Sequence, residues 1–198
     1  MKRLLYLASL LIFLNACSQQ TIVSPYQQAA WDEHRHQLVQ LQDWNITGRV
    51  GLYTNDEAWP GDILWKQVGS QYDMRIIAPL GAGTLRVHSV EGGVLLEHSS
   101  NPTPYFSAEP EALLKKQFGW EMPVRHLRYW MTGIPSPLIP ISGPMDLNAQ
   151  GYLNSLKQSG WLISFKRYKK IAGYTLPVKV LLEHQDLSIK IVIRKWQI

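Results

Sequence analysis

From Trp44 to the end of the chain, apolar and polar residues alternate with a period of two, interrupted every few residues by turn formers. Trp44, Ile46, Val50 and Leu52 alternate with Asn45, Thr47, Arg49 and Gly51, and Ile63 and Trp65 alternate with Asp62, Leu64 and Lys66. Tyr72, Met74 and Ile76 continue the pattern, as do Leu85 and Val87, with turns at Asp56-Glu57, Val68-Gly69-Ser70 and Glu91-Gly92-Gly93. Short strands follow at Val94–His98 and Tyr105–Ser107. A period of two puts every second side chain on one face, so these runs read as an antiparallel meander with one apolar side.

Two helices interrupt the strands. Pro110, Leu113, Leu114 and Phe118 fall on one stripe ended by Gly119; Leu127, Trp130 and Met131 fall on another ended by Gly133. The proline-rich stretch from Ile134 to Pro144 suits neither a helix nor a central strand. Strands resume at Tyr152–Lys157, Trp161–Tyr168, Val178–His184 and Leu187–Ile193, and a further helix spans Pro25–Leu41 ahead of them all. The order is one helix, about six strands, two helices and about four strands. A sheet of that size curls toward a barrel, and helices can cover its open side. Periodicity leaves open whether side chains or a ligand fill the concave face.

The first residues carry a different signal. Met1-Lys2-Arg3 is positive, Leu4 to Leu14 is almost wholly apolar, and Leu14-Asn15-Ala16-Cys17 closes the run at the chain's single cysteine. The apolar run is too short to span a bilayer and has the anatomy of a secretory signal. Its end resembles the lipobox of bacterial lipoproteins, in which the cysteine thiol receives diacylglycerol, the signal is cleaved and the new amino terminus is acylated. The expected organisation is therefore a signal peptide over residues 1–16, a lipidated tether over 17–24 beginning at Cys17, and one domain over 25–198. A buried methylene contributes about 0.8 kcal/mol, so several chains on one residue hold a protein at a membrane almost permanently. An ordinary signal peptide with a chance cysteine is the alternative.

Composition excludes little. The 20 basic against 15 acidic residues give +5, and Lys2 and Arg3 supply two of those charges. A nucleic-acid binder carries a denser basic patch. Eight Trp and nine Tyr suit places where one end of a ring is wet and the other apolar. The six histidines show no metal-ligand spacing, and no Gly-x-Ser-x-Gly elbow, His-Glu-x-x-His or glycine-lysine phosphate loop is present. No catalytic residue, metal or cofactor is assigned on these grounds.

The Trp44-x-x-x-Gly48-Arg49 strand, Trp65, Ala78-Pro79-Leu80-Gly81, Leu127-Arg128-x-Trp130-x-x-Gly133-x-Pro135, Gly160-Trp161 and the strand Leu187-x-Ile189-Lys190-Ile191 ending at Trp196 resemble the LolB family of outer-membrane lipoprotein receptors. The resemblance covers nearly the whole chain after the signal. It implies a mainly β fold with helices: an open, half-closed antiparallel barrel of ten to eleven strands with a helical lid over an apolar cavity. It implies an outer-membrane protein, lipid-anchored and facing the periplasm. Such a receptor accepts lipoproteins from a LolA-type periplasmic carrier, holds their acyl chains, and releases them into the inner leaflet of the outer membrane as a monomer without nucleic acid. Serine at position 18, after the lipidated cysteine, is compatible with the outer membrane.

On that resemblance the acyl-chain cavity is lined by Ile46, Val50, Leu52, Trp65, Met74, Ile76, Leu85, Val87, Ile163, Phe165, Ile189 and Ile191, with Trp130 and Met131 in the lid. Each is equally an ordinary core residue by its pattern alone. The membrane-insertion loop is Pro79, Leu80 and Gly81; read from the sequence, a leucine at this turn either folds back into the core or stands exposed. Lys166-Arg167-Tyr168-Lys169-Lys170 suits phosphate head groups, an acidic rim on the carrier, or water. Two other classes remain open: a periplasmic lipoprotein enzyme, and a lipoprotein that binds lipid with other cargo.

Overall fold

The computed structural model describes residues 23–119 and 122–198. The signal peptide, Cys17 and Ser18 lie outside the described residues. Helix α1, Pro25–Val39, starts at a capping box: Ser24 Oγ accepts from the Gln27 amide at 3.2 Å while Gln27 Oε1 accepts from the Ser24 amide at 3.0 Å. Pro25 supplies a fixed φ where no amide donor is needed. The helix buries Trp31, His34 and Leu38, and Val23 ahead of it packs against the same core.

Strands β1 (Trp44–Tyr53), β2 (Ala58–Val68), β3 (Gln71–Ile77), β4 (Thr84–Val90), β5 (Gly93–His98) and β6 (Asn101–Ser107) form the meander. Helices α2 (Pro110–Phe118) and α3 (Val124–Thr132) follow, both stopped by a left-handed glycine, Gly119 and Gly133. Strands β7 (Asp146–Leu147), β8 (Leu153–Gln158), β9 (Trp161–Ile171), β10 (Tyr174–His184) and β11 (Leu187–Gln197) complete the chain. All belong to one 11-stranded antiparallel sheet, ordered β6-β5-β4-β3-β2-β1-β11-β10-β9-β8-β7. The last strand pairs with the first, and β6 does not meet β7, so the sheet stays open. Its edges are blunted: β6 carries Pro102 and Pro104, and β7 is two residues long.

The structure has one strand more than the second half of the sequence indicates, the short β7, and β9 and β10 run further toward their shared turn. Pro177 masked the start of β10. It is tolerated because β10 pairs with β11 only from Lys179 onward, leaving the upstream half an edge on that side. The basic segment from Lys166 to Lys170 lies within β9, next to its turn into β10.

Burial follows strand parity. Ile63 and Trp65 are buried while Asp62, Leu64 and Lys66 are exposed, and β11 buries Leu187, Ile189, Ile191 and Ile193. The buried side chains of α1, α2 and α3 join this face in a single core. α3 packs against β10 and α2, and α2 against β6. The two short helices therefore cover the apolar face of the half-barrel.

Candidate functional site

Three places concern function: the covered interior face, a groove at one end of the sheet, and the turn between β3 and β4 at the other.

All the residues assigned to the acyl-chain cavity lie on the interior face. Every one is buried except Ile76 and Leu85, which are partly buried and sit opposite one another on β3 and β4. Trp130 and Met131, on α3, are fully enclosed. The interior is occupied by the chain's own side chains, including a tryptophan cluster of Trp44 with Trp65 and Trp196 at centroid distances of 5.1 and 5.3 Å.

The cover is fastened by polar links. Gln158 is completely buried at the end of β8. Its Oε1 accepts from Trp130 Nε1 at 2.8 Å and from the Ser136 amide at 2.9 Å, while its Nε2 donates to the carbonyls of Ser136 and Ile139. One amide thus ties α3 and the proline-rich loop to the sheet. Arg125, at the start of α3, bridges to Glu109 at 2.8 Å and Glu111 at 3.1 Å beside α2, coupling the two helices. Under α1, His34 packs on Tyr152 at 4.5 Å and its Nε2 has no hydrogen-bond partner among the described residues; burial pushes its pKa from 6.5 down to about 4.

The groove has a volume of about 790 Å³ and lies between the end of α1, the β2–β3 turn, α3 and the proline-rich loop. Its apolar floor includes Leu38, Leu41, Trp44 and Ile134, and its wall carries Arg35, Gln67 and Arg128. Arg128 Nη1 donates to the Gly69 carbonyl at 2.8 Å, a second donor meets the Tyr129 hydroxyl, and the guanidinium lies 4.5 Å from the Tyr129 ring centroid. Gln67 is buried, accepts from Trp65 Nε1 at 3.1 Å and donates to the same Gly69 carbonyl. The groove contains none of the residues assigned to the acyl-chain cavity.

At the other end, Pro79–Gly81 form a single 3-10 turn closed by Ala78 N–H to Gly83 O at 2.9 Å and Ala82 N–H to Pro79 O at 3.1 Å. Leu80 stands fully in solvent at 106% relative exposure and holds a left-handed φ of 56°. An L-residue in that region costs roughly 1–2 kcal/mol. Of the two positions the sequence left open, the leucine takes the exposed one. Trp59 and Ile77, 41% and 40% exposed, lie at the same end, since Ile77 pairs with Asp62 and β2 extends past it. From Asp62 to Val68 the strand spans about 20 Å, which separates the turn from the groove.

Sequence reasoning missed Gln67, Gln158 and the two arginines. A signal existed for the glutamines: Gln67 shares the parity of Trp65, and Gln158 that of Leu156, so each is a polar residue on a buried face. Nothing in the sequence marked Arg35 or Arg128 as neighbours of one groove.

A family model described as "LolB: Outer membrane lipoprotein LolB" matches residues 42–196. A protein of Pseudomonas paraeruginosa named outer-membrane lipoprotein LolB is 37% identical over 199 residues, covering 98% of this chain and 96% of that protein. One of the same name from Pseudomonas syringae pv. syringae is 36% identical, covering 96% and 93%. A solved structure of a LolA superfamily protein from Nitrosomonas europaea shares the fold at a TM-score of 0.53 and 5% identity, covering 88% of this chain and 94% of that one.

Proposed function

The chain belongs to the LolB family of outer-membrane lipoproteins, and on that premise we propose that it receives lipoproteins from a LolA-type periplasmic carrier and inserts them into the outer membrane. Residues 1–16 are the signal, Cys17 carries the lipid, the polar segment that follows it tethers the body, and the body acts as a monomer facing the periplasm. The acyl chains of the client lodge on the interior face. Exposed hydrocarbon loses about 0.8 kcal/mol per methylene, so a protein shelter must replace the bilayer during transit. Because that face is filled when closed, loading lifts α2 and α3 together, carried by the Arg125 bridges, and the incoming chains replace the contacts of Trp130 and Met131. Directional transfer needs little: about 1.4 kcal/mol in favour of the acceptor shifts the partition tenfold.

The observation that carries this reading is Leu80, a large apolar side chain held in full solvent by a strained turn. The fold gains no burial from it, whereas a bilayer surface would. Pro79 and Gly81 present it, and Leu80 enters the leaflet during release. In a purified system, Leu80→Glu is expected to take lipoprotein from the carrier at the normal rate and to fail in passing it to liposomes. Normal delivery to liposomes by that variant would remove the support.

A further inference from the structure

We propose that the groove bounded by α1, the β2–β3 turn, α3 and the proline-rich loop binds a single-chain anionic amphiphile, its hydrocarbon along the accessible apolar lining of Val39, Ile139 and Ile141 and its headgroup at Arg35 and Arg128. This goes beyond lipoprotein transfer and does not rest on it.

The groove combines two features. Its floor is aliphatic and aromatic, yet two arginines stand in its wall, and no Asp or Glu is among its described lining residues. Neither arginine has an acidic partner among the described residues. Elsewhere most described arginines pair with carboxylates, Arg49 and Arg194 with Asp62, Arg75 and Arg86 with Asp73, and Arg125 with Glu109 and Glu111, the exception being Arg167 on β9. Arg128 is also held in place, by the Gly69 carbonyl and by the ring and hydroxyl of Tyr129. A guanidinium has five N–H donors, and two of these are used, so a fixed cation with spare donors stands at the groove. Arg35, exposed on α1, adds a second positive charge to the lining.

A client's acylated terminus does not account for this pairing. Its esters, thioether and amide carry no formal charge, so a site built for them alone needs no unpaired cations. A carboxylate or phosphate on one hydrocarbon chain meets both features at once, because arginine pairs with these groups through short, often bidentate hydrogen bonds between opposite charges. The volume of about 790 Å³ lies in the range of small-molecule sites, roughly 300–1,000 Å³.

The test uses the full chain carrying Cys17→Ala, so that no lipid of its own competes. Palmitate, palmitoyl-lysophosphatidylglycerol and hexadecanol each compete with a fluorescent fatty-acid probe. The anionic pair is expected to bind at least tenfold more tightly than hexadecanol. Arg35→Gln and Arg128→Gln are each expected to weaken the anions at least fivefold and leave hexadecanol unchanged, with Arg128→Lys recovering part of the loss. Binding of palmitate alone identifies a carboxylate ligand, and binding of the lysophospholipid alone a phosphate; either result supports the site. Equal binding of hexadecanol, or anion binding untouched by both glutamine variants, overturns it. Should Arg128→Gln fail to fold, the exposed Arg35→Gln decides. No carrier or client enters this assay, so its failure leaves the transfer reading standing, and failure of transfer leaves this one.

Discussion

Trp130 Nε1 donates to Gln158 Oε1 at 2.8 Å, and both side chains are wholly buried. That bond is a direct polar link between the covering helix α3 and the sheet. The same glutamine also satisfies the Ser136 amide and the carbonyls of Ser136 and Ile139. Gln158→Leu keeps most of the volume but leaves these groups unpaired. A buried unpaired group costs about 1–3 kcal/mol, so the variant is expected to lose about 3 kcal/mol in urea unfolding. Stability within 0.5 kcal/mol of the parent, roughly the scatter of surface substitutions, would remove Gln158 from this fastening role.

Leu80 separates stability from function. Glycine adopts a left-handed φ freely, and the leucine side chain gains nothing from burial. Leu80→Gly should therefore raise stability by about 1 kcal/mol while slowing delivery to membranes. Calorimetry reads the first and liposome transfer the second. A variant that delivers normally would mean the side chain is dispensable.

His34 gives the fold a pH dependence of known sign. Burial lowers its pKa from 6.5 to about 4. Between those values the unfolded chain binds a proton that the folded chain refuses, so stability falls as pH drops from 6.5 toward 4. One unit is worth about 1.4 kcal/mol, and the full loss reaches up to about 3 kcal/mol. Its surroundings are Trp31, Tyr152 and Tyr168, with no carboxylate in ring contact to offset the cost. His34→Phe should flatten that part of the profile, measured as the difference in unfolding free energy between pH 7 and pH 4.5. An identical slope in both proteins would assign the acid sensitivity elsewhere.

Gly48 is fixed by backbone approach. β1 shifts register against β11 between Thr47 and Gly48, and a Cβ there would lie 2.2 Å from the Val192 carbonyl oxygen. Both partners are backbone, so a side chain cannot be accommodated by a rotamer change. Gly48→Ala is expected to cost at least the roughly 1–3 kcal/mol typical of overpacking, read from thermal melting. Unchanged melting would mean that the bulge can relax.

Strand parity was legible because a period of two needs only local sequence. Ile63 and Trp65 against Asp62 and Lys66 already name the buried face, and Gly119 and Gly133 already stop the helices. The bulge at Gly48 was visible as a glycine but not as a cause, because the cause is Val192, far along the chain on another strand. The groove was illegible for the same reason. Arg35, Gln67, Arg128 and Ile134 come from four segments that only the folded sheet and its helices bring together. Nor could parity tell that the interior is filled, since a core residue and a cavity residue have the same pattern.

The central claim is that the interior face takes up a client's hydrocarbon, and photo-cross-linking tests it most directly. A benzophenone amino acid replaces Leu85, partly buried on that face, or Lys190, exposed on the outer face of β11. Each variant then receives a lipoprotein with labelled acyl chains from the loaded carrier. The expected result is label cross-linked at position 85 and none at position 190. Efficient uptake with no label at 85, or equal label at both positions, would contradict the account.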